Sequence, residues 1–81
     1  MRVSLVLELY EKQGQALKNT LEVESSDLEF FRSILSVPEQ DPLMYGSYKI
    51  DKFNSDKIFE KYGFMLDVDR YDCFAGYRRI S

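Results

Sequence analysis

Histidine is absent from this 81-residue sequence, and cysteine occurs only once, at Cys73. The side chain that most often serves general acid–base catalysis is therefore missing, and no imidazole is present to activate the thiol. A single cysteine excludes an intrachain disulfide, and a zinc site built from cysteine and histidine is excluded with it. We expect no catalytic residues, no metal site and no cofactor, and we interpret Cys73 as a buried, inert thiol.

Glycine is also sparse: its four residues stand singly along the chain, so the sequence contains no glycine-rich loop for phosphate binding. Three carboxylates lie close together in the sequence at Asp67, Asp69 and Asp72. This segment lacks the glycine and the final glutamate of a calcium loop, and Arg70 places a positive charge among the would-be ligands. A solvated turn is the favoured interpretation, and a carboxylate-based hydrolase is kept as the last alternative.

Long apolar runs are missing as well, and no stretch approaches the ~20 residues that span a bilayer. The chain begins Met1-Arg2, but Glu8 and Glu11 interrupt the apolar run before the core of a signal peptide is complete. We therefore expect a cytoplasmic protein without a membrane partner. Hydrophobic residues make up 44% of the chain, which is enough for one modest core. Residues 1–81 are accordingly predicted to form a single domain that is monomeric in isolation.

The first quarter of the chain has the alternating pattern of β-strands. Apolar residues alternate with others from Val3 to Tyr10, which predicts a half-buried strand. The polar segment 11–15 contains a glycine and suits a hairpin loop. Alternation then resumes over residues 17–24, although Asn19 interrupts the face that should be buried. We predict that these two strands pair in a hairpin.

A helix is predicted next, because Ser26-Asp27-Leu28-Glu29 has the pattern of a capping box. The apolar stripe that follows indicates a helix from about Asp27 to Leu35, ending before Pro38. Residues 37–48 show no sustained period and are interpreted as a loop. This loop leads to a short extended piece at residues 48–50.

A second helix should begin near Asn54 or Ser55 and end at Gly63. Alternation over residues 64–68 predicts a third strand, and residues 73–80 a fourth, with Gly76 as a candidate bulge. The predicted order is β-β-α-α-β-β. It indicates an α+β fold with an antiparallel sheet of about four strands and both helices on one face.

The charge of the chain is unevenly distributed. Residues 22–41 contain six acidic residues against the single base Arg32, a local sum of −5 within a total of −3. This excess argues against direct binding of nucleic acid and favours a basic protein surface. Aromatic residues beside charge are typical of protein interfaces. The candidate partner-binding residues are Glu22, Glu24, Asp27, Glu29, Glu39, Asp41, Tyr45 and Tyr48. An ordinary solubilising face remains open for the acids, as does core closure for the tyrosines.

Two segments carry a resemblance to a known group of proteins. They are Asp41-Pro42-Leu43-Met44-Tyr45-Gly46-Ser47-Tyr48 and the stretch from Phe64 to Phe74, which reads FMLDVDRYDCF. The chain resembles small bacterial domains found among the immunity proteins of contact-dependent growth inhibition and related polymorphic toxin systems. The resemblance implies a cytoplasmic inhibitor that binds the C-terminal toxin domain of an effector. Such toxin domains are commonly nucleases, and an RNase is the favoured partner. It supplies no catalytic residues.

A second function class fits the same residues. The chain could be a small regulatory or structural subunit that binds a protein other than a toxin, including a second copy through an open sheet edge. An obligate oligomer in light scattering would favour this alternative. A gene position directly after the toxin-encoding end of an effector would favour the first.

Overall fold

Residues 3–79 are described by the computed structural model. In chain order the elements are β1 (Val3–Glu11), β2 (Leu17–Val23), a 3-10 turn (Ser25–Asp27), α1 (Leu28–Leu35), β3 (Tyr48–Lys49), α2 (Lys52–Tyr62) and β4 (Tyr71–Arg79). The sheet order is β2-β1-β4-β3, and each neighbouring pair is antiparallel. The α+β class with a four-stranded antiparallel sheet and two helices is therefore confirmed.

Both helices cover the same face of the sheet. On β1 this face carries Leu5, Leu7 and Leu9, each at most 9% exposed. Phe31 from α1 and Ile58 from α2 are fully buried and belong to the same core cluster. Complete burial of such side chains contributes roughly 1.5–3 kcal/mol each. One shared core thus fixes the positions of the two helices, as the sequence predicted.

The opposite, outer face of the sheet is covered in its middle. Val6 points to this face and is fully buried, although the alternating sequence predicted a strand buried on one side only. Val6 pairs with Gly76, and a Cβ built on Gly76 would lie 2.3 Å from the Gly46 carbonyl oxygen and 2.6 Å from Arg78 Nη1. The loop around Gly46 and the Arg78 side chain therefore lie on β4 and shield the centre of the outer face.

The bulge predicted at Gly76 is wrong. The pairing of β1 with β4 runs without a shift from Val3–Arg79 to Glu11–Tyr71. The glycine is required by the close approach of another backbone segment, and no extra residue is inserted. An irregularity does occur between β1 and β2, at Leu9 and Tyr10.

The strand predicted over residues 64–68 is wrong, because this segment connects α2 to β4 without joining the sheet. Leu66 is buried and Phe64 half-buried, so the period-two pattern does report burial. The Leu66 carbonyl accepts hydrogen bonds from the Ser55 hydroxyl and the Val68 N–H, at 3.1 and 3.0 Å. The fourth strand of the sheet is instead β3, the short extended piece predicted near Tyr48.

A capping box begins α2, not α1. The Asp51 carboxylate accepts from Asn54 N–H at 2.8 Å, and the Asn54 side chain accepts from Asp51 N–H at 3.2 Å. This reciprocal pair starts the helix at Lys52, a little earlier than predicted. Gly63 ends it in the left-handed conformation with φ of 79°, which confirms the predicted end.

The capping box predicted at Ser26 is wrong. A 3-10 turn occupies Ser25–Asp27, and α1 has Asp27 at its N-cap position without a side-chain hydrogen bond to the helix. Glu29 pairs with Arg32 at 2.7 Å instead of reaching back. The local pattern was correct for a helix start, but the chain enters α1 through a tighter turn.

We expect Asp51→Ala to lower the free energy of unfolding by about 1 kcal/mol, since an N-cap side chain contributes roughly 0.5–2 kcal/mol. Ser26→Ala is the matched control, and it should change the same quantity by less than about 0.5 kcal/mol, as an exposed substitution away from a cap does. Urea unfolding followed by circular dichroism measures both. Equal losses in the two variants would contradict the assignment.

Candidate partner-binding surface

The eight residues predicted to bind a partner do not form one continuous patch. Three of them make contacts inside the domain, two are exposed on α1 and in the loop after it, and three lie at one end of the sheet. The internal group is Asp27, Asp41 and Tyr48; the second group is Glu29 and Glu39; the third is Glu22, Glu24 and Tyr45.

Asp41 organises the loop that crosses the sheet edge. Its carboxylate accepts hydrogen bonds from the Tyr48 hydroxyl and, at 2.9 Å each, from the backbone N–H groups of Gly46 and Tyr45. The bond from Tyr48, followed by those from Gly46 and Tyr45, lowers the pKa of Asp41, and the same bond raises the pKa of Tyr48. Both side chains thus hold residues 41–48 in place.

Asp27 is held by the end of α2. Its carboxylate accepts from the Tyr62 hydroxyl at 2.6 Å and lies 3.6 Å from Lys61 Nζ. Burial raises the pKa of Tyr62, and the hydrogen bond to Asp27 and the negative charges of Asp27 and Glu24 add to the rise. Asp27 therefore joins α1 to α2, while the carboxylate of Glu24 is close enough to act on the same phenol.

The two exposed acids beyond these contacts differ in their surroundings. The Glu29 side chain is 84% exposed and is paired with Arg32 on the same helix. Glu39 is exposed in the loop after α1. An exposed ion pair such as Glu29–Arg32 contributes little to stability, so Glu29 could exchange this contact for one with a partner.

A cleft at the end of β2 collects the residues with the most suitable chemistry. It has a volume of about 460 Å³ and is lined by Ser4, Glu22, Val23, Glu24, Tyr62 and Phe64. We call it the β2–α2 cleft. Glu22 and Glu24 are exposed on its β2 side, and two aromatic rings lie on its α2 side. Acidic and aromatic residues therefore line the same concavity.

The aromatic side of the cleft belongs to a stack that begins in the core. Phe31 is fully buried and lies parallel to Tyr62, with ring centroids 5.9 Å apart and an interplanar angle of 13°. Tyr62 in turn stacks on Phe64 at 5.3 Å and 11°. Because Gly63 turns the chain between them, the two outer rings are fixed by the core and by the helix end.

Tyr62 and Phe64 were not among the residues predicted to bind a partner. Tyr62 lies in the predicted second helix and Phe64 in the predicted third strand. The available signal was the pair of aromatic residues on either side of a helix-ending glycine. Their stacking depends on the left-handed turn at Gly63, which the sequence did predict.

The cleft and the exposed Tyr45 lie at the same end of the sheet. Leu5 pairs with Val23 on one side and with Tyr77 on the other, and Tyr77 N–H donates to the Met44 carbonyl at 2.8 Å. Three strand spacings thus separate Val23 from Met44, a distance of roughly 14 Å. Tyr45 follows Met44, is 63% exposed and lies 6.2 Å from the Tyr77 ring.

The carboxylates considered for hydrolysis have structural contacts. Asp72 is 2.9 Å from Lys12 Nζ and 3.7 Å from Lys49 Nζ, and it accepts from Gln15 at 3.0 Å. The bonds from Gln15 and Lys12 lower the pKa of Asp72 to about 2. Asp67 accepts from the Arg70 N–H and shapes the turn before β4. Between residues 3 and 79, acidic and cysteine side chains form no cluster of three suited to a metal ion.

Cys73 is fully buried on the core face of β4. Burial raises the pKa of its thiol, and the charge of Asp72 adds to the rise. A protonated, enclosed thiol is a poor nucleophile. These observations agree with the interpretation of Cys73 as a core residue.

Fold and surface together define a small two-layer α+β domain with an acidic, aromatic cleft at one end of its sheet. Neither helix within residues 3–79 is long and apolar enough to cross a bilayer. The chain belongs to the family described as a domain of unknown function, DUF7683, whose model matches residues 4–76. No curated protein and no solved structure matches the chain.

Proposed function

We propose that this chain is an immunity protein that binds a cognate toxin domain and neutralises it. The observation that carries the proposal is the β2–α2 cleft, which is lined by two glutamates and by two stacked aromatic residues. Concavities of this kind, with aromatic anchors and a few charged groups, are suited to the centre of a protein interface. The resemblance of the loop 41–48 and the segment 64–74 to immunity proteins supplies the class of partner.

A nuclease toxin is the preferred partner because of its charge. An enzyme that cleaves RNA or DNA needs a basic surface for the phosphates. The acidic excess over residues 22–41 offers complementary charge, which accelerates association and aligns the two surfaces. Inhibition would then follow from occupation of the surface that the nucleic acid requires.

The contacts inside the domain narrow the proposed interface. Asp27, Asp41 and Tyr48 act by holding the binding surface in shape. Glu22, Glu24 and Tyr45 are proposed to contact the partner directly, and Glu29 and Glu39 to add long-range charge. Substitution of Asp27, Asp41 or Tyr48 should therefore affect stability before binding, whereas substitution of the exposed Glu24 or Tyr45 side chain should affect binding first.

Rescue by co-expression tests the class of partner. The toxin domain encoded directly before this chain's gene would be expressed from an inducible promoter, with and without the chain. We expect growth to be restored by the chain and not by a version deleted for residues 17–79. Continued growth arrest, or an upstream gene that encodes no toxic domain, would contradict the proposal.

The charge contribution can be measured separately with the purified pair. We expect the double variant Glu22→Lys/Glu24→Lys to slow association by about tenfold or more at low salt, because steering of charged partners depends on opposite surface potentials. The difference should shrink as salt is raised. Asp56→Lys/Glu60→Lys on the exposed side of α2 is the control and should leave the rate nearly unchanged. Equal rates for all three proteins would remove the acidic surface from the interface.

A further inference from the structure

We infer that residues 45–47 form a strap over the outer face of the sheet, and that this strap opens when Asp41 loses its charge while the rest of the domain stays folded. The strap is thus an acid-sensitive cover for Val6 and Gly76. The inference does not depend on the proposed function. It goes beyond that function because it concerns a second conformation of the chain.

The two ends of the strap are fixed by the fold. Met44, just before it, is fully buried in the core, and its carbonyl accepts from the Tyr77 N–H at 2.8 Å. Tyr48, just after it, belongs to β3 and pairs with Ala75 of β4. Three residues therefore lie between two anchored points, and they can move without displacing the core.

Polar contacts with two charged side chains hold the strap down. Its residues, Tyr45, Gly46 and Ser47, are all exposed. The Asp41 carboxylate accepts from the N–H groups of the first two, at 2.9 Å each. Arg78 donates to the carbonyls of the same two residues, at 3.4 and 3.3 Å, and to the Ser47 hydroxyl. Because exposed residues bury little apolar surface, these charge-assisted hydrogen bonds decide whether the strap stays closed.

Asp41 is the charged partner that can be neutralised. The guanidinium of Arg78 keeps its proton in proteins, whereas a carboxylate is protonated in acid. The hydrogen bond from Tyr48, followed by those from Gly46 and Tyr45, holds the pKa of Asp41 below its ordinary value of 3.8. A carboxylate with a lowered pKa stabilises the closed strap fully above that ordinary value. This stabilisation is lost as the pH falls through the lowered pKa.

Two other titratable groups act on the same contacts. The Tyr48 hydroxyl donates to Asp41, and this bond raises the pKa of the hydroxyl, so it keeps its proton at neutral pH and below. Glu8 from β1 lies 3.2 Å from Arg78 Nε. Protonation of Glu8 leaves the guanidinium charged and its bonds to the strap in place. The acid transition of the strap therefore belongs to Asp41.

An acid titration of the full chain tests the inference. ¹H–¹⁵N spectra would be recorded from neutral pH to about pH 2, following the amides of Tyr45, Gly46 and Gly76, with the amide of Ile58 as a report on the core. We expect the first three to shift together with a midpoint below 3.8, at a pH where Ile58 is still unchanged. The transition should remain in Asp72→Asn, which removes another carboxylate with a lowered pKa.

Asp41→Asn should open the strap at neutral pH, because the amide offers one acceptor oxygen to three donors. We expect the amide hydrogens of Tyr45 and Gly46 to exchange with solvent roughly tenfold faster than in the parent protein, and that of Ile58 to exchange at the same rate. Asp56→Asn makes the same chemical change on the exposed side of α2. It is the matched control and should leave all three rates unchanged.

Two results would overturn the inference. If Tyr45 and Gly46 keep their parent exchange rates in Asp41→Asn, the carboxylate does not hold the strap. If Ile58 loses its protection together with Gly46, in acid or in Asp41→Asn, the opening is not local. Neither result bears on rescue by co-expression, so the proposed function would survive both. Failed rescue would in turn remove the toxin as partner and leave the strap as inferred.

Discussion

Gly76→Ala is expected to lower the free energy of unfolding by about 3 kcal/mol or more, at the upper end of the range for overpacking. The added Cβ would lie 2.3 Å from the Gly46 carbonyl oxygen, which is backbone and cannot rotate away. Either the loop must lift from β4 or the strand must shift against Val6. Urea unfolding monitored by circular dichroism gives the loss directly.

Gly63→Ala is the matched control, since it makes the same chemical change for a different reason. No atom lies within 4 Å of a Cβ built on Gly63, but its φ is 79°. Only the cost of the left-handed conformation applies there, about 1–2 kcal/mol. If Gly76→Ala is no more destabilising than Gly63→Ala, the loop does not lie as close to β4 as described.

Arg78→Met is expected to cost about 3 kcal/mol of unfolding free energy, because removal of one partner from a largely buried ion pair leaves the other charge uncompensated. Arg78 Nε is 3.2 Å from Glu8, and the Glu8 side chain is only 12% exposed. The guanidinium also donates to the Gly46 carbonyl at 3.3 Å. The methionine retains much of the apolar stem that covers Val6.

The double variant Arg78→Met/Glu8→Leu separates charge from packing. With both charges replaced by apolar groups, no uncompensated charge remains, and stability should recover much of the loss. A double-mutant cycle measures this coupling. Strictly additive losses would show that Arg78 acts through the loop contacts alone and that the pair with Glu8 contributes nothing.

Gly76→Ala and Arg78→Met both alter the contacts that cover the outer face of the sheet. Gly76, Arg78 and the loop around Gly46 together cover Val6 on the outer face, which the helices do not reach. The central strand is thereby buried on both sides although the domain has only two layers. Loss of this cover should also displace Tyr45, whose carbonyl accepts from Arg78 at 3.4 Å, and so link stability to the proposed interface.

The elements that depend on neighbouring residues could be predicted well. The hairpin of β1 and β2 follows from period-two alternation around a polar loop, and Gly63 ends α2 in the left-handed conformation that glycine favours. The strand over residues 64–68 failed because alternation reports which side chains are buried and not whether the backbone finds a partner strand. Leu66 is buried although it lies in the connection between α2 and β4, and its carbonyl accepts a hydrogen bond from the Ser55 hydroxyl.

Charge and aromatic character in the sequence indicated some of the residues of the candidate site, and the others depend on the tertiary structure. Glu22, Glu24 and Tyr45 were selected from charge and aromatic character, and the structure places them exposed at one end of the sheet. Asp41 could not be distinguished from them by composition, since its role depends on a loop that folds back onto its carboxylate. Tyr62 and Phe64 joined the cleft only through a stack that starts at Phe31, more than thirty positions before Phe64 in the sequence.

The order of residues by itself determined the chemistry of the chain, which lacks imidazole and paired thiols and has an acidic middle segment. It also determined the local geometry, namely the positions of the hairpin and of the two helices. Tertiary structure decided which carboxylates hold the fold together and which remain at the surface, and it brought two glutamates beside a stack of aromatic rings. The physical reason is the sequence distance over which each kind of interaction acts. Backbone propensity and alternation act over a few residues, whereas ion pairs, ring stacking and close backbone approach require distant segments to meet.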